Sequence, residues 1–170
     1  MIETIKITTT TTKKKKDIKM KKVYIGDPCY VISADNWQSF CDMISDGEKM
    51  GVIFDFMGNS VYVMQTKWGD GVYELVDSKY SLVGELCVDS GLLCVMSVEG
   101  VQKVSGIEDG CVVEVDEFSV DSVYSVYNDD DKTLYVGGYF VKTDYFDEEE
   151  EEDDESYDYD DSYDYDDDDN

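Results

Sequence analysis

Three aspartates stand at glycine-flanked corners of this chain: Asp27 in GDPCY, Asp70 in GDG and Asp89 in VDSG. Carboxylates gathered at one rim could hold a hard cation. Oxygen-only ligation suits Ca2+ or Mg2+ and not Zn2+. A metal site on Asp27, Asp70 and Asp89 would make the protein a carboxylate-based, Mg2+- or Ca2+-dependent hydrolase, with Lys67 as the one cation near a corner to serve a leaving group. The plainer reading, favoured here, is turn chemistry. An Asp side chain accepts from backbone N–H groups two residues on, and Gly supplies positive φ. GDG alone is a weak signal, and no stretch fits the calcium loop D-x-[DN]-x-[DN]-G with its terminal Glu. The expectation is therefore no catalytic residue and no cofactor, with the cation site as the alternative.

Other chemistry is narrowed by what the chain lacks. It contains no His and no Arg. Without His there is no ordinary general base near neutral pH, and triads of the Ser-His-Asp or Cys-His type are excluded. Without Arg there is no bidentate fork for phosphate or carboxylate. Five cysteines occur, at 29, 41, 87, 94 and 111, with no C-x-x-C. The number is odd and the spacings do not suit a four-thiolate zinc site. Reduced thiols in a cytoplasmic setting are expected. Cys87 would face Cys94 across a two-residue hairpin around Ser90-Gly91, but not across a three-residue loop. Two small apolar strand residues are the preferred reading. Cys29, beside Pro28, is the best-placed thiol for reactivity, yet no His or Arg is present to lower its pKa.

Lys67-Trp68, just before Gly69, puts a cation and an amphipathic aromatic on a loop. Exposed, the pair makes an interaction patch. Buried, Trp68 is ordinary core. The sequence leaves the two open.

Charge divides the chain into three regions. Residues 1–22 hold eight Lys against two acids, and residues 144–170 hold 18 acids and no Lys. Residues 23–143 hold six Lys and 21 acids, so this middle region is itself acidic and would be repelled by a duplex. TTTTTKKKK and the twice-written SYDYDD at 156–161 and 162–167 are low-complexity. Neither end has the apolar periodicity to offset the entropy of folding. The expected organisation is a disordered lead-in over 1–21, a β-rich globular domain over 22–143 and a disordered acidic tail over 144–170. No apolar run is long enough to span a membrane, and none reads as a secretory signal. A cytoplasmic protein is expected, in the host cytoplasm if viral.

A single helix is expected within the middle region, at about 35–46. Asp35 would cap it, with Gln38 three residues on. Trp37, Phe40, Cys41 and Ile44 would share a face, and Gly47 would stop it. GDPCY reads as a rigid corner followed by a short extended YVI. Beyond Gly51 the period becomes two. Strands are expected over 52–57 and 60–67 around a Gly58-Asn59 turn, then over 71–76, 80–88, 92–98, 110–118, 121–127 and 133–143. Seven to nine short strands with one helix predict an α+β domain, mainly antiparallel, built as a bent sheet or partly open barrel.

YIGDPCYVI, DNWQSF, TKWGDGVYE and LCVDSGLLCV occur in that order between residues 22 and 98. This half of the chain resembles a family of small uncharacterised proteins found in phages, other viruses and some bacteria. The resemblance implies a compact β-rich domain and no established activity. The functional expectation is a non-enzymatic acidic interaction protein of viral type. It would present its corner face to a host protein or a basic protein surface, with no direct nucleic-acid binding by the domain and no membrane. Dense carboxylates interleaved with tyrosines in the tail could steer such a partner or imitate a phosphate backbone. The competing reading of the tail is a solubilising brush. Besides the hydrolase, a small-ligand-binding β domain is the remaining alternative.

Overall fold

The structure, a computed structural model, describes residues 20–128 and 131–143. The lead-in and the acidic tail expected from composition lie outside these residues, except that the first strand already begins at Lys21. Ten strands form two five-stranded sheets, with all pairings antiparallel and no closure into a barrel.

The first sheet has β1 (Lys21–Gly26), β2 (Ile53–Phe56), β3 (Asn59–Gln65), β6 (Leu92–Ser97) and β7 (Cys111–Val115), in the order β2-β3-β6-β1-β7. The second has β4 (Gly71–Asp77), β5 (Leu82–Val88), β8 (Val123–Tyr127), β9 (Lys132–Val136) and β10 (Tyr139–Lys142), in the order β5-β4-β10-β9-β8. The central strands β1, β3 and β6 of the first sheet are covered on both faces. Val23, Ile25, Met64 and Val95 face Leu75, Leu86, Leu134 and Val141 of the second sheet. Residues of the other parity, Tyr24, Val61, Val63, Cys94 and Met96, pack with Phe40 and Ile44 of a helix. This is why VYI, VYVM and LCVM run apolar at consecutive positions. A strand with two buried faces has no solvent side to mark with polar residues. The second sheet is open on its outer face, so β4 alternates buried Tyr73 and Leu75 with exposed Val72 and Glu74.

That open face carries a row that the sequence reading missed. Leu82, Val76, Phe140, Tyr135 and Tyr124 are successive cross-strand partners over all five strands. Tyr124 and Tyr135 stack at 5.0 Å, Tyr135 meets Phe140 at 6.0 Å, and Tyr80 closes on Phe140 at 5.3 Å. Tyr124 and Tyr135 share a face, while Phe140 meets Tyr135 at a tilt and Tyr80 edge-on, and such cross-strand aromatic pairs stabilise a sheet.

Local predictions needed four corrections. First, Pro28 does not sit in an open corner: Pro28–Val31 form a one-turn helix, α1, and the extended conformation resumes only at Ile32. Proline suits the first helical position, where no N–H is needed and φ is preset. Second, the main helix, α2 (Ala34–Ile44), is N-capped by Ser33 and not Asp35. Gln102 Oε1 accepts from both Ser33 N–H and Ser33 Oγ at 2.9 Å, which pins that residue outside the helix. Asp35 falls in the first turn, where its charge suits the helix dipole, and Gln38 reaches forward to Asp42 at 2.9 Å. Gly47 does end the helix, at φ 80°. Third, the β2–β3 turn is Met57-Gly58, because Phe56 pairs with Asn59. Both turn residues have positive φ, 54° and 80°, as this tight hairpin requires. Fourth, the strand expected over 133–143 is two strands, folded back at Gly137-Gly138.

Candidate functional site

The three corners come together at one end of the sandwich. Asp27 caps α1, and its Oδ1 accepts from Cys29 N–H at 2.7 Å and from Ser90 Oγ at 2.7 Å. Its Oδ2 accepts from the Asp89 and Ser90 N–H groups, both at 2.7 Å. The side chain is fully buried. One carboxylate therefore joins β1, α1 and the turn between β5 and β6. Such charge-assisted bonds are short, and leaving one unmade in the interior is costly. Asp89 in turn accepts from Tyr30 Oη at 2.5 Å, which raises the phenol's pKa, with burial adding to the effect.

The third corner is attached through Thr66. Its N–H donates to Gly91 O at 2.9 Å and its Oγ1 to Gly69 O at 2.7 Å. Tyr73 Oη also donates to Gly69 O, at 2.9 Å. Asp70 lies against the same turn: a Cβ built on Gly91 would be 4.0 Å from Asp70 Oδ1. Asp27, Asp70 and Asp89 are thus neighbours in the fold, but Asp27 turns inward with both oxygens taken by N–H and O–H donors. Among the described residues no group of three or more Cys, Asp or Glu is gathered as a cation would need.

Lys67 and Trp68 project from this end, on the loop between β3 and β4. Trp68 is 55% exposed, with Lys67 Nζ 5.7 Å from its ring centroid. A second cation and aromatic stand beside them. Lys132 Nζ donates to Thr66 O at 3.0 Å and lies 4.9 Å from the Tyr127 ring centroid. Burial, then the charge of Lys67, lowers the Lys132 pKa. Thr143, fully buried, binds the backbones of both lysines. It accepts from Lys67 N–H at 3.1 Å and donates through Oγ1 to Lys132 O at 2.8 Å. Thr66, Tyr127, Lys132 and Thr143 were not singled out from the sequence. Nothing local distinguishes them, since their roles come from partners up to 76 residues away.

The cysteines are all free. Cys87 and Cys94 do not face each other in any hairpin, because β5 belongs to the second sheet and β6 to the first. The Asp89-Ser90-Gly91 turn is where the chain changes sheets. Burial, then the hydrogen bond and charge of Asp27, pushes the Cys29 thiol up to about 12. Burial also raises Cys41, Cys94 and Cys111.

At the other end of β1, six residues or about 20 Å away, Met20 lines an open cleft of about 780 Å³. Its walls include Asp77, Glu114, Asp116, Glu117 and Asp121. Among the described residues no helix is long and apolar enough to cross a membrane. Comparison with protein-family models, curated proteins and solved structures returns no match.

Proposed function

We propose that this chain is a non-enzymatic interaction protein whose corner end docks on a protein partner with a basic surface, such as a host protein. The observation that carries this reading is the construction of that end. Thr66 and Asp27 tie three loops into a fixed platform, and Trp68 stands exposed on it. An aromatic on a rigid base loses little freedom when it is buried by a partner, which is the usual character of an interface anchor. Thr143 is bonded at this end, and 18 acids follow it in the sequence over residues 144–170. They supply long-range attraction for a cationic surface and displace its counterions, as a phosphate backbone would. The raised pKa values of Cys29, Cys41, Cys94 and Cys111 and an Asp27 carboxylate occupied by hydrogen bonds favour binding over catalysis. The resemblance of residues 22–98 to phage, viral and bacterial proteins is compatible with a viral source, and free thiols suit a cytoplasmic site of action.

The test is binding of the full chain to a Lys/Arg-rich peptide at increasing salt. Affinity should fall steeply with ionic strength. Neutralising the acids of residues 147–155 to Asn and Gln should flatten that slope. Trp68→Ala should weaken binding by about tenfold or more at every salt concentration. Binding indifferent to salt and to Trp68 would refute the proposal. The rival hydrolase on Asp27, Asp70 and Asp89 requires Ca2+ or Mg2+ to raise the melting temperature, with the three Asn substitutions abolishing the rise.

A further inference from the structure

We propose that residues 144–155, the first stretch of the acidic tail, occupy in cis the surface made by Lys67, Trp68, Tyr127 and Lys132. Three observations converge on it. The first is position. Thr143 is buried and bonded to the backbones of both Lys67 and Lys132. The Cα of residue 144 is within about 3.8 Å of that of Thr143, so the tail starts beside the backbones of both lysines. A tether this short holds the segment at an effective concentration on the order of millimolar or above.

The second is charge. Residues 144–155 contain ten acids, and residues 23–143 contain only six lysines. Two of those six are neighbours here, and their mutual repulsion helps to lower the Lys132 pKa. An anion shared between them relieves that repulsion. Among the described acids of the adjoining loops, Asp70 is set against the Gly91 turn and Asp131 accepts from Thr133 Oγ1. Asp129 and Asp130 precede Lys132 by three and two residues in the sequence. The third is aromatic surface. Trp68 is 55% and Tyr127 49% exposed, and Tyr145 and Phe146 follow within three residues of Thr143.

The contact itself does not need an outside partner. It bears on the function proposed above in one respect: a basic partner and Lys67 and Lys132 would compete for the same carboxylates.

Zero-length carbodiimide cross-linking of the dilute full chain, followed by peptide mass spectrometry, tests the contact. Lys67 or Lys132 should join carboxylates of residues 144–155. The yield should be unchanged on tenfold dilution and lost near 1 M salt. Lys142 is an internal control, because it is as close to the start of the tail and lies outside the patch. Links from Lys67 and Lys132 should exceed those from Lys142 by about tenfold. Equal yields would mean mere tethering and overturn the proposal. So would links from Lys67 and Lys132 only to residues 129–131, links of the tail only to the lysines of residues 13–22, or links that vanish on dilution. Adding the Lys/Arg-rich peptide separates the two claims. Cross-links that the peptide cannot displace uphold the cis contact and count against the partner function. Absent cross-links with salt-dependent, Trp68-dependent peptide binding do the reverse.

Discussion

Asp27 shows how much one side chain can settle. It caps a helix, and it holds a turn 62 residues away through two backbone N–H groups and a hydroxyl. Asp27→Asn should be costly despite its near-identical shape. The amide places its own N–H against donors that now meet an anion. Each charge-assisted bond lost is expected to cost about 1.5–3 kcal/mol. The measurement is denaturant unfolding, where the midpoint should fall well below that of Asp70→Asn, a change at an exposed corner. A small shift would mean that the clamp contributes little. Cys29, bonded to the same carboxylate through its backbone, should alkylate with iodoacetamide at pH 8 more slowly than a simple thiol. Its pKa is pushed up to about 12, so the thiolate is scarce at that pH. Alkylation as fast as free cysteine would contradict this.

At the scale of elements, turns decide the register of their strands. The β4–β5 turn is organised by Asp77, whose Oδ1 accepts from Lys79 N–H at 2.8 Å and Ser81 N–H at 2.9 Å. These bonds, Ser81's first, lower the Asp77 pKa in the folded protein. A carboxyl with a depressed folded pKa contributes stability above its unfolded pKa, and that contribution is lost as pH falls through the folded pKa. Asp77→Asn should therefore reduce the melting temperature at pH 7, and the difference should shrink as pH falls below the ordinary aspartate range and through the folded pKa. An unchanged difference across that range would contradict the assignment. Pro28 belongs to this scale too. Replacing it with Ala should cost about 0.4–1 kcal/mol, because the unfolded chain gains freedom at a position whose φ suits the first turn of α1. Equal denaturation midpoints for the two chains would refute this.

The whole molecule has two ends of different character. One carries the welded corners, Lys67, Lys132 and Trp68, and leads into the acidic tail. The other carries the acid-lined cleft at Met20, where the Lys-rich lead-in joins the domain. At this scale, neutralising Asp147, Asp153 and the glutamates of residues 148–152 should weaken binding of a basic peptide chiefly at low salt. Trp68→Ala should weaken it at all salt concentrations. Isothermal titration at two ionic strengths distinguishes the two effects.

The sequence alone determined what depends on near neighbours. Period-two runs of Val and Tyr specified a mainly antiparallel β domain, and the spacing of Trp37, Phe40 and Ile44 specified the helix between Ala34 and Ile44. Asp and Gly marked the corners as turns, and the Asp27 side chain does accept from a backbone N–H two residues on. Turn positions slipped by a residue at Met57-Gly58, and the fold-back at Gly137-Gly138 was passed over, because strand propensity continues on both sides of it. Tertiary structure decided the rest. A period-two pattern says which face of a strand is apolar but not which strand lies beside it. Only the pairing of distant segments placed β5 and β6 in different sheets, buried Asp27, left Trp68 exposed, and brought Thr143 against two lysines to make one end of the molecule a site.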